Sequence, residues 1–204
     1  MRYAILVDGS FLLARLRPRC GRTPTGADVI AECEAIRRHP ALDGEELLRI
    51  LFYDARPFAG NVLDPVTGQQ RNLSRTETHR QRGKLLDELK LAPNFALRLG
   101  ELIYQGFELP RVAAQRIASA GRPLEPSDLQ LAIRQKGVDM RIGLDIARLS
   151  LREKVGAIVV TTGDSDFIPA FKFARREGVR VYLDHLGGSV KRELKAHADL
   201  LLER

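Results

Sequence analysis

Soft metal ligands are scarce in this sequence. Of its 204 residues only Cys20 and Cys33 are cysteines, too few for a disulfide framework and wrongly spaced for a zinc ribbon or finger. The four histidines, His39, His79, His185 and His197, are scattered and show no metal-ligand spacing. Long apolar runs are missing too. No window approaches the roughly 18 uninterrupted apolar residues that a membrane span needs, and a core strand follows Met1 almost at once, without the layout of a signal peptide. These absences exclude disulfide scaffolds, zinc modules and membrane spans, and the expectation is a soluble cytoplasmic protein. Internal repeats and low-complexity segments are also absent.

What the chain does have is basic charge. Its 33 lysines and arginines outnumber 26 acids, for a formal charge of +7, a balance that favours polyanionic partners, nucleic acid first. The excess is clustered. Arg71, Arg75, Arg80, Arg82 and Lys84 face a single acid, Glu77, and Arg15, Arg17, Arg19 and Arg22 follow the first strand. Either cluster alone could be a solvated face. Two of them on the rim of one crevice favour phosphate binding.

The element pattern alternates. Arg2 to Val7, Leu47 to Tyr53, Phe95 to Ile103, Ala157 to Thr161 and Val179 to Asp184 read as strands, with an edge strand at Leu200 to Leu202. Helical spacing falls at Gly26 to Arg38, Leu73 to Leu91, Asp139 to Glu153, Phe167 to Glu177 and Ser189 to His197. Residues 55–71 read as loop. The stretch 104–126 reads as an insertion or mobile flap with a short helix from Arg111 to Ser119, and Ser127-Asp128 as a helix cap. The fold class this predicts is α/β, one domain over residues 1–204, with a mainly parallel central sheet and helices on both faces.

In such sheets ligands bind outside the carboxyl ends of the strands, and acids stand there. Asp8 closes the first strand before Gly9 and Ser10. Asp164 and Asp166 follow the Ala157–Thr161 strand in Thr162-Gly163-Asp164-Ser165-Asp166. Asp166 directly precedes Phe167-Ile168-Pro169, so helix capping alone explains it, whereas Asp164 behind Gly163 reads as a ligand or substrate contact. Asp139 opens the long helix at the edge of its Ile142, Ile146, Leu149 stripe, where capping is a serious rival. Asp145 lies about 120° further around that helix and reads as a supporting residue, or as a partner of Arg141 or Arg148. Acids converging on one crevice repel unless a cation holds them. With carboxylate oxygens as ligands, the cation expected is hard, Mg²⁺ or Mn²⁺.

Taken in order, Val7-Asp8-Gly9-Ser10, Phe52-Tyr53-Asp54, Leu99-Gly100-Glu101-Leu102, Lys136-Gly137-Val138-Asp139 with Asp145, Gly163-Asp164-Ser165-Asp166-Phe167 with Pro169, Gly178-Val179-Arg180-Val181 and Ala198-Asp199 resemble the NYN domain. That domain is a branch of the PIN-like nuclease superfamily, and the resemblance is strongest to its bacterial LabA-like members. The resemblance implies a Rossmann-like PIN fold and hydrolysis of RNA phosphodiesters by Mg²⁺ or Mn²⁺ on an acidic cluster. Carried over, the metal ligands and catalytic acids are Asp8, Asp139, Asp164 and Asp166, with Asp145, Ser10, Thr162 and Ser165 in support. The resemblance places Lys136 near the substrate, the basic clusters add Arg71, Arg75, Arg80, Arg82 and Arg15 as substrate contacts, the expected partner is single-stranded RNA, and a homodimer is the implied assembly. Phe11 departs from the family, whose members often carry asparagine there.

Two alternatives stand beside the ribonuclease: a weak or inactive module of the same fold that binds RNA or a protein, and a phosphohydrolase or nucleotide-binding enzyme. A haloacid-dehalogenase phosphatase would want aspartate where Ser10 stands, and a receiver domain would want a lysine closing the fifth strand. A glycosyltransferase could use Asp164-Ser165-Asp166, but no sugar-nucleotide signature accompanies it.

Overall fold

Strands buried on both faces organise this molecule. The computed structural model describes residues 1–152 and 155–203. In β1 (Arg2–Asp8) the side chains of Tyr3, Ile5 and Val7 enter one core and those of Ala4 and Leu6 the other, as a strand with layers on both sides requires. β2 (Glu46–Ala55) does the same with Ile50 and Phe52 against Leu51 and Tyr53. Full burial of such side chains stabilises by about 1.5–3 kcal/mol each. The first core is roofed by α1 (Gly9–Cys20), α2 (Gly26–Arg37) and α3 (Glu77–Leu91) through Leu12, Leu16, Val29, Ile36, Leu85 and Leu89.

The chain builds outward from β1 to β2 and then β5 (Phe95–Glu108), all parallel. β6 (Gln130–Lys136) turns back antiparallel on β5. From there α5 (Val138–Arg152) crosses to β7 (Ala157–Thr161), which pairs with the free side of β1, and α6 (Ile168–Arg176), β8 (Arg180–Asp184), α7 (Arg192–Ala196) and β9 (Leu200–Leu201) complete the far half. The strand order is β6-β5-β2-β1-β7-β8-β9. α5, α6 and Leu194 of α7 cover the second core, so the α/β sandwich expected from the sequence is what forms.

Several expected elements differ. α1 was hidden by Pro18 and the arginines around it, yet Leu12, Leu13 and Leu16 are buried and Gly21 ends the helix at φ 64°. The loop 55–71 contains a small hairpin, β3 (Asn61–Leu63) with β4 (Gln70–Asn72). α3 starts not at Leu73 but after a 3-10 turn at Leu73–Arg75, because Thr76 accepts the His79 N–H. The insertion 104–126 holds the end of β5 and α4 (Arg111–Ala120), close to the helix expected there. No helix begins at Ser127-Asp128. Asp128 instead takes two hydrogen bonds from Arg122 and one from the Glu125 N–H, closing a 3-10 turn, and the alternating Leu131, Ile133 and Gln135 then pair with β5 as β6. The last helix is shorter than Ser189 to His197, and the Glu153 end of the long helix lies outside the described residues.

Gly100 of β5 sets how closely the second half of the chain can approach the sheet. A Cβ there would stand 2.4 Å from the Lys136 carbonyl oxygen and 2.7 Å from Val138 Cγ2, so the β6–α5 junction packs against bare backbone. Gly100→Ala should lower stability by about 1–3 kcal/mol through overpacking, read as an earlier denaturant midpoint with unchanged slope.

Candidate functional site

β1 and β7 lie side by side where the strand order reverses, and the crevice at their carboxyl ends is the natural ligand position. Asp8, half-buried at the end of β1, caps α1. Its Oδ1 accepts the Phe11 N–H at 3.1 Å and the Ser10 hydroxyl at 3.1 Å. The helix can start this close to β2 only on a glycine, since a Cβ on Gly9 would stand 2.5 Å from the Tyr53 carbonyl oxygen. Thr162 bridges to the neighbouring loop: its hydroxyl donates to Asp8 Oδ2 at 3.5 Å and accepts the Asp164 N–H at 3.2 Å.

In the β7 loop the capping expected of Asp166 falls to Asp164. Asp164 is the cap: its Oδ1 accepts the Asp166 N–H at 2.9 Å over the 3-10 turn Ser165–Phe167, and α6 starts behind Phe167 without a side-chain cap. An aspartate commonly takes the N–H two residues on, and Gly163 leaves Asp164 at that place. Asp166 is exposed and makes no cap. Asp139, second residue of α5, reaches the same crevice from a third direction through the Gly137 turn at φ 77°. Arg141 Nη1 donates to the Gly137 carbonyl at 2.7 Å.

The acids feel one another. Burial pushes the Asp8 carboxyl above its ordinary value, the Phe11 N–H and Ser10 hydroxyl oppose this, and the charge of Asp139 adds to it. Asp139 is raised by partial desolvation first and then by the charges of Asp164 and Asp166. Among the described residues none of the four forms an ion pair with lysine or arginine. Oxygen donors with mutual repulsion and no internal counter-charge suit a hard divalent cation. The crevice is open, however: among the described residues no three His, Cys, Asp or Glu side chains form a ready-made chelating group.

Around the acids the rim is partly basic. Lys136 is exposed at the end of β6, next to Gly137. Lys191, expected from the sequence to lie within the last helix, stands before it and donates to Ser165 Oγ at 3.1 Å. Its only sequence signal is its place before Arg192 in the loop after β8. Phe11 packs on Gly163, where a Cβ would stand 2.6 Å from the ring, and Arg15 lies over that ring at 5.5 Å.

The Arg71–Lys84 cluster does not act as one surface. Arg80 pairs with Glu77, Lys84 with Glu88 at 3.8 Å, and Arg75 is exposed at the end of its 3-10 turn. Arg82 holds buried Asp54 at 2.7 Å. Asp145 accepts from Tyr53 Oη at 2.9 Å and Arg98 Nε at 3.1 Å, which ties α5 to β2 and β5, while Arg141 is engaged with Gly137 instead. Burial and Asp145 raise the Tyr53 phenol far above its usual value, so it stays a donor.

A mainly parallel α/β sheet with an acidic crevice at its switch point defines a Rossmann-like architecture. A family model of the NYN domain matches residues 100–202, a span that includes Asp139, Asp145, Asp164 and Asp166 and begins after Asp8. The chain belongs to the NYN domain family, part of the PIN-like nuclease superfamily. Members of that family are generally nucleases or other hydrolases, act on RNA and usually use divalent metals. The crystal structure of a protein of unknown function, VPA0982 from Vibrio parahaemolyticus RIMD 2210633, is similar with a TM-score of 0.53 at 16% identity over 98% of this chain and 91% of that one. That likeness concerns fold alone. No curated protein matches the chain, and no helix among the described residues is long and apolar enough to cross a membrane.

The charges make two outcomes testable. Asp139→Asn relieves repulsion, so in EDTA its thermal midpoint should rise by about 1–2 °C, solvent screening included. Asp54 is raised by burial and pulled back by Arg82. In Arg82→Ala that counter-charge is gone, and native Asp54 then binds a proton which the unfolded chain releases. Stability should therefore fall as pH rises from the ordinary carboxylate range through the raised value. Urea denaturation should show a loss of roughly 2–3 kcal/mol at about pH 8 and a smaller one at about pH 5.

Proposed function

We propose that the protein is a metal-dependent ribonuclease that hydrolyses phosphodiester bonds of single-stranded RNA. The observation that carries this reading is the convergence of Asp8, Asp139, Asp164 and Asp166, from β1, the β6–α5 junction and the β7 loop, on one switch-point crevice, with no ion pair to any of them among the described residues. These four would hold Mg²⁺ or Mn²⁺. When bound there, such an ion lowers the pKa of coordinated water and offsets charge on phosphoryl oxygens.

The chain's own residues supply the rest. Ser10 and Thr162 orient Asp8 by hydrogen bonds to its two oxygens, and Ser165 anchors Lys191 over the loop that carries Asp164 and Asp166. Lys136, Lys191 and Arg15 can attract the RNA backbone and account for part of a salt-dependent affinity. A cysteine content of two, Cys20 half-buried and Cys33 buried, supports a reducing, cytoplasmic setting.

A second reading has its own observation. Phe11 places a hydrocarbon ring beside Gly163, and among the described residues no three acids form a ready-made chelating group, which suits a module that binds RNA without cutting it.

Purified protein should cleave a single-stranded oligoribonucleotide with Mn²⁺ or Mg²⁺ and stop in excess EDTA. Asp164→Asn and Asp8→Asn should each lose at least about 100-fold in rate while keeping the circular dichroism of the parent. Cleavage that persists in both variants, or in EDTA, would sink the mechanism. Salt-sensitive binding with no cleavage by the parent would favour the binding module.

A further inference from the structure

Beside the acids lies a second concavity that this mechanism does not use. It is a cleft of about 550 Å³ between α1, α3, the β3–β4 hairpin and the outer strands β5 and β6, within the size range of small-ligand sites. Its inner end touches the acid crevice. The Ser10 hydroxyl is hydrogen-bonded to Asp8 at 3.1 Å and to Gln135 Oε1 at 3.1 Å, and both Ser10 and Gln135 line the cleft.

The lining divides by chemistry. Leu131 and Ile133 of β6 and Phe58 before the hairpin provide an apolar wall. Phe58 is fixed there, because Gly60 has no Cβ to strike its ring and Tyr104 packs on it with centroids 5.8 Å apart. Two exposed arginines line the cleft from different elements, Arg17 on α1 and Arg71 on β4. Neither has a carboxylate partner among the described residues, whereas Arg82 in the same cleft is tied to Asp54. An apolar wall with two cations in the same lining, joined to the acid crevice through Ser10, is complementary to one unstacked nucleotide, its base on the wall and its phosphates on the arginines.

We propose that this cleft is a nucleotide subsite of the RNA track, in which the Phe58–Leu131–Ile133 wall takes the base of a nucleotide flanking the scissile phosphate and Arg17 and Arg71 hold its phosphates. The placement beside the scissile bond rests on the ribonuclease reading, but binding in the cleft does not. A base can enter only if it leaves the stack, so the subsite selects single strands over duplex.

The test is fluorescence anisotropy of a labelled single-stranded oligoribonucleotide on the full chain in EDTA, where no cleavage interferes. Arg17→Ala/Arg71→Ala should weaken binding about tenfold or more and flatten the salt dependence by about 1.4 in log–log slope, the amount for two phosphates on a single strand. Ile133→Trp fills the wall and should weaken binding about tenfold with the salt slope unchanged. A nucleoside monophosphate should displace the probe from the unmodified protein, which keeps the test decisive if Ile133→Trp does not fold. Affinity unchanged in both folded variants, or no competition by millimolar monophosphate, overturns the subsite. Cleavage that continues while the variants bind as the parent does removes the subsite and leaves the nuclease standing. Cleft-dependent binding in a protein that never cuts RNA supports the subsite and removes the nuclease.

Discussion

The pairing of β1 with β7 is the constraint on which the rest of this structure depends. From that seam the sheet grows one way through β2, β5 and β6 and the other way through β8 and β9, so the seam is also where the helical layers change sides. Because β1 is buried on both faces, neither Asp8 nor the β7 loop can shift without disturbing a core. Thr162 makes the coupling explicit, with one hydroxyl bonded to Asp8 and to the Asp164 N–H. The two loops are thereby one unit, and α5 is added to it through Gly100, which lets the β6–α5 turn lie against β5.

Fixing four carboxylates this way has a cost. Asp8 and Asp139 are held above their ordinary protonation range by burial and by their neighbours, and a carboxylate so raised opposes folding wherever it must stay charged. The cores on either side of the sheet offset that cost, with Phe52, Tyr53, Ile142, Ile146 and Phe171 all essentially solvent-free. A similar balance holds at Asp54, where burial acts against the ionised form and Arg82 partly opposes it. Elsewhere acids and bases are paired off along the surface, as in Arg22 with Asp28 and Arg175 with Asp199. The crevice differs because, among the described residues, none of its four acids is in an ion pair.

Much of this was legible because a buried parallel strand is a short apolar run and its last residue is easy to find. Asp8, Asp164 and the Ala157–Thr161 strand could be placed from the chain alone for that reason. β6 was not, since half-buried strands with Gln130, Arg134 and Gln135 carry only a weak alternation, and Ser127-Asp128 imitates a helix start. The cap at Asp164 was misjudged on local grounds too. A capping side chain can serve a 3-10 turn that precedes the helix, and nothing in the sequence distinguishes that turn from the helix proper. Lys191 and the cleft between α1, α3 and β6 escaped because they exist only once distant segments meet. The four-residue neighbourhood of Ser10 does not contain Gln135, which arrives 125 positions later.

Phe11 bears most directly on whether this crevice is a working site or a relic of one. Its ring seats the Gly163 backbone and is itself covered by Arg15, so it aims the loop that carries Asp164 by contact rather than by hydrogen bonding. The polar duties beside Asp8 are taken by Ser10 and Thr162, each with a bond to a different carboxylate oxygen. A hydrocarbon side chain at position 11 therefore does not leave Asp8 unoriented. A binding module has no physical need for four repelling carboxylates on its floor, since they weaken the attraction its basic rim exerts on RNA. Their presence, held in place by two cores and, among the described residues, without an ion pair to lysine or arginine, weighs towards chemistry at this site over binding alone.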